Sequence, residues 1–222
     1  MRFETHIHTK EVSPCAACTA AEAVLRCVRL GYGGMAVTDH FAEDTHRRLR
    51  KFSWQSRVSF FLKGWRNARD AAPSGFAVLP GMEVRFAGEG SNDYLVYGID
   101  EAFLRENEGF DRLGIAKFSE LARKHGLPVF QAHPFRFGMT ITKPERLDGI
   151  EVYNGNSHHE SHNDFAALWA RRQGLRAISG SDYHGGDTGD GVAPGGIELP
   201  GPVRDNADFV RALLEGSYKL MQ

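Results

Sequence analysis

Residues Arg2-Phe3-Glu4-Thr5-His6-Ile7-His8 open the chain as a short extended run that ends on two histidines. This pattern decides the fold because it recurs. Met35 to Thr38 runs into Asp39-His40, Phe76 to Glu83 is broken by Pro80-Gly81 and ends on a carboxylate, and Tyr94 to Tyr97 is bordered by Asp93. Leu127 to Ala132 runs into His133-Pro134, Gly149 to Tyr153 into Asn154, and Leu175 to Ser179 into Asp182-Tyr183-His184. Short apolar runs that alternate with helical periodicity predict an α/β fold. In parallel α/β barrels the carboxyl ends of the strands share one face, and that face carries the site. The strand ends are therefore expected to gather five histidines and several carboxylates in one place.

The segments between the runs read as helices. Thr19-Ala20-Ala21-Glu22 has the capping-box pattern and predicts a helix start, with the helix stopping at Gly31. Trp54, Val58, Phe61, Leu62 and Trp65 recur at spacings of three and four, which predicts one long helix over roughly Thr45 to Ala72. This aromatic run reads as core rather than as a base-stacking platform. Further helices are expected over Glu101–Glu106, Phe110–His125, Ser161–Gln173 and Asn206–Leu214. Gly180 to Gly201 reads as loop with an extended piece at Gly196–Leu199, and Tyr218–Met221 as a terminal strand. The third and fourth strands stand too close for a crossover helix, so they should form a hairpin or a distorted corner. No linker divides the chain, so residues 1–222 read as one domain.

Composition narrows the function classes. At 222 residues, 41% apolar and 25% charged, the chain is neither a disordered tail nor a collagen-like rod nor a coiled coil. A net charge of −1 offers no footprint for nucleic acid or an anionic membrane. Neither a signal-type apolar segment nor a run of about 18 apolar residues is present, so the cytoplasm is the expected compartment. Ten histidines against three cysteines point to metal binding by imidazole and carboxylate. Cys15 and Cys18 form a lone CxxC without a second pair or a redox context, and read as ordinary thiols; Cys27 reads as core.

His6 and His8 are two apart on an extended segment, so both side chains point the same way and can chelate one ion. Asp182 and His184 repeat that spacing. A mixed imidazole and carboxylate set suits zinc, manganese or iron. There are more such groups than one ion needs, which implies two or three divalent transition metal ions bridged by a carboxylate.

His6-Ile7-His8-Thr9, Thr38-Asp39-His40, Gly81-Met82-Glu83-Val84, Ala132-His133-Pro134 and Gly180-Ser181-Asp182-Tyr183-His184 resemble, in order, the motifs of the PHP (polymerase and histidinol phosphatase) family of metal-dependent phosphoesterases. The resemblance runs from Phe3 to His184 and implies a distorted (β/α)7 barrel with a trinuclear site. By the family's pattern His6, His8, Glu83 and Asp182 would hold one ion. Glu83 would bridge to a second, also held by His133 and a residue of the fourth strand. His40 and His184 would hold a third. Two positions depart from the pattern. Many members carry a histidine just before the fourth strand, where this chain has Asp93. Many also carry an aspartate or histidine shortly after the first histidine pair; here Glu11 is the best substitute and Cys15 the second.

The reaction expected of such a site is hydrolysis of a phosphomonoester of a small metabolite by a metal-activated hydroxide, with Asp182 and His184 in the catalytic set. Arg136, three residues after His133, is expected to bind phosphate, since a guanidinium matches phosphate oxygens bidentately; Arg85 is the alternative. Asn154 reads either as a group that orients water or substrate or as an Asn-Gly turn. His158, His159 and His162 read as a polar loop and helix cap, with His158 touching substrate, rather than as a second metal site. His46 and His125 read as incidental. The rival functions are a phosphotyrosine-type protein phosphatase, a non-catalytic PHP module and a metallo-amidohydrolase. The last usually has a metal-bridging lysine, and no strand here ends on one. A small phosphorylated substrate is the expected partner, with no nucleic acid and no membrane.

Overall fold

The computed structural model describes residues 1–42, 45, 49, 51–185 and 193–222. His46, much of the first third of the helix expected over Thr45 to Ala72, and residues 186–192 of the glycine-rich loop lie outside the described residues. The first half of the chain forms β1 (Arg2–Ile7), α1 (Ala20–Arg29), β2 (Gly34–Val37), β3 (His40–Phe41), α2 (Trp54–Phe61), α3 (Lys63–Ala71), β4 (Ala77–Arg85) and β5 (Asp93–Tyr97). The second half forms α4 (Glu101–Glu106), α5 (Gly114–Lys124), β6 (Val129–Gln131), β7 (Gly149–Asn154), α6 (Asn163–Gln173), β8 (Arg176–Gly180), β9 (Gly196–Glu198), α7 (Asn206–Glu215) and β10 (Lys219–Met221).

The strands form one sheet in the order β10-β9-β1-β2-β4-β5-β6-β7-β8, with β3 beside β4. Pairing is parallel except at β5, which runs antiparallel to both β4 and β6, and at β9, which runs antiparallel to both β1 and β10. The β4–β5 hairpin follows from the short link that sequence spacing showed. The sheet also turns back on itself. Ile7 at the end of β1 bridges Tyr183 just past β8, His8 N donates to Tyr183 O at 3.0 Å, and Asp182 N donates to His6 O at 2.8 Å. The result is a nearly closed α/β barrel, as expected. Among the described residues no helix is long and apolar enough to cross a membrane.

Phe3, Ala36, Leu79, Leu95, Tyr97, Phe130 and Ile178, drawn from six strands, pack with Phe209 of α7 as the interior cluster. Ile7 packs on the outside, with Val24 and Cys27 of α1, Val37 and Ala68 of α3. On a regular strand Phe3 and Ile7, four apart, would share a face. They do not, because the register of β1 against β2 shifts between Glu4 and Ile7. The irregularity turns His6 and His8 inward, in the sense that Phe3 occupies lower in the barrel. A second shift, between Glu151 and Tyr153 of β7, brings Glu151 and Asn154 to the same side although they are three apart. Such bulges are known to re-aim side chains beside active sites.

The capping box at Thr19 forms in full, with both reciprocal hydrogen bonds to Glu22. The expected long helix is two helices. Ser53 caps α2 by accepting from Ser56 N, and the chain turns at Leu62 into α3. The turn lets Gly64 sit on the loop that carries Thr9 and Asp39: a Cβ there would stand 2.1 Å from Asp39 Oδ2 and 2.3 Å from Thr9 Oγ1. Gly64→Ala is therefore expected to destabilise the protein by about 2 kcal/mol through overpacking, read as a lower urea midpoint. An unchanged midpoint would show that Asp39 swings aside freely. The aromatic run is core, as expected: Trp54 and Phe61 pack on Phe41, and Trp54 Nε1 donates to Leu104 O at 2.7 Å. The helix expected over Phe110–His125 begins as a single 3-10 turn and restarts at Gly114, whose φ of 71° no ordinary helix residue adopts.

Candidate metal centre

The carboxyl ends of the parallel strands meet around Glu83. Its Oε1 lies 3.0 Å from His133 Nε2, and its Oε2 lies 3.0 Å from His40 Nδ1, 3.3 Å from His8 Nε2 and 3.5 Å from His6 Nε2. Asp182 faces the same histidines from β8, with Oδ1 3.3 Å from both His6 Nε2 and His8 Nε2 and 3.4 Å from His184 Nδ1. The rings of His40, His8 and His184 stack in turn, with centroids 4.5 and 4.2 Å apart. Sequence spacing thus found groups that the barrel does bring together.

Electrostatics keeps the carboxylates charged. Burial opposes ionisation of Glu83, but His40 and His6 outweigh it and hold the carboxyl well below its ordinary range. Asp182 is held down in the same way, against burial, by His6, His8 and His184. Conversely, burial would lower the pKa of His6, and Glu151, Asp182 and Glu83 together push it well above the usual imidazole value. A buried carboxylate pair of this kind requires positive charge beside it.

The residues fit divalent cations. His6 Nε2, His8 Nε2 and Glu83 Oε2 are buried and have no hydrogen-bond partner among the described residues. Ligand atoms of His6, His8 and Glu83 lie within 4.8 Å of one another, as do those of His6, His133 and Asp182, of His8, His40 and His184, and of His40, Glu83 and Asp93. Buried polar atoms are otherwise almost always paired, so orphaned lone pairs aimed at a common point mark a place for an ion.

The groups behind the ligands were not found from the sequence. Glu151 is fully buried; its Oε1 is 2.8 Å from His6 Nδ1, and its Oε2 accepts from His133 N at 2.9 Å and from Asn154 Nδ2 at 2.9 Å. A carboxylate on Nδ1 fixes the tautomer that leaves Nε2 free for a cation. Asp39 does similar work for the loop after β1, accepting from Thr9 N, Thr9 Oγ1 and Ser13 Oγ, each at 2.7 Å. Ser13 Oγ in turn accepts from His40 N at 3.0 Å. The available signal was a carboxylate inside an apolar run, Ile150-Glu151-Val152. The backbone also departs from regularity here. His133 and Asp182 have φ of 29° and 52°, a left-handed conformation that costs a non-glycine residue about 1–3 kcal/mol and gathers at functional sites.

Other nominated residues are placed differently. Glu11 is turned away: both its oxygens accept from Ala20 N at 3.1 Å, at the start of α1, and Oε1 also accepts from Asn67. It serves a helix N-terminus because four amide donors are exposed there. Asp93 lies within reach of His40 and Glu83 but is clamped bidentately by Arg85, at 2.8 and 2.6 Å. Arg136 Nη2 donates to Asp182 Oδ2 at 2.8 Å and Asn154 Oδ1 at 3.3 Å. Asn154 Nδ2 also donates to Asp182 Oδ2, at 3.2 Å. His158, His159 and His162 line the mouth of the cavity above the cluster, with the fully exposed Phe137. His162 sits at φ 47°, so α6 begins at Asn163 rather than at Ser161. His125 packs against Phe103, away from the cavity. The cavity holds about 890 Å³, and Cys15, His40, Glu83, Arg85, Asp93 and Arg136 are among the residues on its wall.

No family model matches the chain, and no curated protein matches it in sequence. Solved structures do match. A two-domain protein of Bacteroides vulgatus, containing a domain predicted to be a PHP-like metal-dependent phosphoesterase, superposes with a TM-score of 0.70 at 20% identity over 100% of this chain. The barrel is of the PHP type. The chain spans 64% of the length of that Bacteroides protein. A candidate metal-dependent phosphoesterase of Bifidobacterium adolescentis matches with a TM-score of 0.53 at 16% identity, over 96% of this chain and 95% of that one. An amidohydrolase of Chromobacterium violaceum, solved with sulfate and without metal, matches with a TM-score of 0.56 at 20% identity, over 96% and 97% of the two chains. The likeness to the PHP family that the motifs carried thus extends to the fold, and the imidazole and carboxylate cluster stands where parallel α/β barrels place their chemistry.

Proposed function

We propose that this protein is a metal-dependent phosphoesterase of the PHP family that hydrolyses a phosphomonoester of a small molecule. The observation that carries the reading is one residue facing two ways. Asp182 turns Oδ1 to the unpartnered ring nitrogens of His6 and His8, and Oδ2 to the guanidinium of Arg136 on the cavity wall. A cation cluster and a guanidinium held by the same carboxylate suit a phosphoryl group, which needs charge neutralised on several oxygens at once.

His6, His8, Glu83 and Asp182 would hold one ion, Glu83 with His133 and Asp93 a second, and His40 with His184 a third. Divalent zinc, manganese or iron held there would polarise phosphoryl oxygens and acidify water. The chain's own groups do the positioning. Arg136 orients the phosphate, Asn154 and Glu151 hold Asp182 and His6 in place, and the histidines at the mouth meet the leaving group. His184 keeps Nδ1 against Asp182 O at 2.9 Å, which directs Nε2 into the cluster. The wall carries two arginines and, among the described residues, no lysine, which favours phosphate over the amide substrates of lysine-bridged hydrolases. We place the protein in the cytoplasm, acting on a soluble substrate without nucleic acid or membrane.

A screen of phosphomonoesters with added zinc, manganese or iron tests the reading, together with elemental analysis of protein purified without chelator. Two or three metal equivalents and turnover that depends on them are expected; less than one equivalent would overturn it. Arg136→Met is expected to raise KM for the phosphoester by roughly 10- to 100-fold with metal content unchanged, the loss of one charge-assisted pair. An unchanged KM would move phosphate recognition to Arg85.

A further inference from the structure

Phe137 is an apolar side chain in a place that folding does not explain. It is fully exposed, whereas the next most exposed large apolar residue among the described residues, Leu168, is 57% exposed. Yet it lines the cavity, one residue after Arg136 and two before Met139, which line it too.

The loop is built to hold it there. Arg136 N donates to His133 O at 3.1 Å and Met139 N to Arg136 O at 3.0 Å, and between them Gly138 takes φ 84°, so the chain doubles back at Phe137. Two buried amides fasten the returning chain. Gln131 Nε2 donates to Thr140 O at 2.7 Å, and its Oε1 accepts from Thr142 N at 3.0 Å. Asn92 Oδ1 accepts from Thr140 N at 2.8 Å, and its Nδ2 donates to Thr140 Oγ1 at 3.0 Å. Buried groups thus hold a phenyl ring in water at the mouth of the site. A ligand that covers the ring recovers its apolar area.

The surroundings say what kind of ligand fits. Phe137 shares the mouth with three other flat rings, His158, His159 and His162. His159 is held below the usual imidazole range by partial burial and by Arg136, so it presents a neutral face. The tip Phe137-Gly138-Met139 has no polar side chain with which to read the edge of a heterocycle. The cavity of about 890 Å³ has room for a sizeable leaving group beside the phosphate.

We propose that Phe137 selects the leaving group, so that the preferred substrate is a phosphomonoester of an alcohol bearing an apolar aromatic ring close to the ester oxygen. The inference rests on the phosphoesterase reading above and names its substrate class. Hydrolysis passes the phosphoryl group to water and returns the alcohol with its proton. Arg136 takes the phosphate, and the next residue takes the ring in the offset or edge-on contact that aromatic pairs prefer. A polyol leaving group leaves Phe137 in water and gains nothing from it.

The metal-loaded protein is assayed with benzyl phosphate and glycerol 3-phosphate. Both are esters of ordinary alcohols, so the ratio of their kcat/KM values reports recognition of the leaving group. Benzyl phosphate is expected to be favoured at least about tenfold, with the preference mostly lost in Phe137→Ala and kept in Phe137→Tyr. Phe165→Ala, a change at an exposed phenylalanine that does not line the cavity, is expected to leave the ratio as it is. A native ratio near one, a preference that survives Phe137→Ala, or an equal loss in Phe165→Ala would overturn the proposal. Calorimetric binding of benzylphosphonate and methylphosphonate reads the same preference without turnover. The benzyl compound is expected to bind at least about fivefold tighter to the native chain and no tighter to Phe137→Ala; equal affinities in the native chain would overturn the proposal. Turnover of neither ester, with the binding preference intact, would defeat the phosphoesterase reading and leave the ring site standing.

Discussion

Glu83→Gln is expected to strip the protein of at least one metal equivalent and to reduce phosphoester turnover by on the order of 1000-fold. The carboxylate of Glu83 is the hub of the site. Four imidazoles, from His6, His8, His40 and His133, approach its two oxygens at 3.0 to 3.5 Å. Glutamine has the same shape, so the packing survives. Its charge does not, and one oxygen becomes an NH2 group pointed at donors that were to share a cation. Every imidazole that relied on the negative charge then competes for what remains. Removing one member of a buried charged network leaves the others uncompensated, at about 3–5 kcal/mol. The checks are metal content by elemental analysis, turnover at saturating substrate, and far-ultraviolet circular dichroism to show that the fold stands. Full metal content in Glu83→Gln would mean that Glu83 bridges nothing and that the cluster is organised by Asp182 alone.

Much of this site was legible because a parallel barrel gives strand ends a common address. His6, His8, His40, Glu83, His133, Asp182 and His184 each follow an apolar run, and fold logic alone collects them. The groups that hold them were hidden for physical reasons. Glu151 sits in mid-strand, and a strand buried on both faces shows no alternation to say which way a side chain points. The register shifts in β1 and β7 decide that direction, and they depend on pairing partners far away in sequence. Glu11 was nominated as the substitute for the aspartate or histidine that the PHP resemblance implies shortly after the first histidine pair. Its carboxylate instead meets the amide exposed at the start of α1, a partner set by the angle at which that helix leaves the loop. The break at Leu62 was invisible for a related reason. Helical periodicity continues through it, and two residues on, Gly64 sits close against Asp39 and Thr9.

The second large effect belongs to Glu151, and it should separate metal affinity from folding. Glu151→Gln keeps one carbonyl oxygen and is expected to weaken metal binding by roughly 10- to 100-fold, the usual loss when the partner behind a ligating histidine is removed. The reason is geometric. The carboxylate accepts from three donors at once: His6 Nδ1 at 2.8 Å, His133 N at 2.9 Å and Asn154 Nδ2 at 2.9 Å. An amide cannot accept on both sides, so either the His6 tautomer or the left-handed turn at His133 loses its anchor. Glu151→Leu removes both acceptors in a fully buried position. It leaves donors unpaired at about 1–3 kcal/mol each, so a fall in the urea midpoint is expected as well as the loss of metal. Zinc competition titrations and urea melts of the stripped protein measure the two effects apart. If Glu151→Gln bound zinc as tightly as the native chain, Glu151 would be a structural buttress for β7 and the orientation of His6 would come from its packing alone.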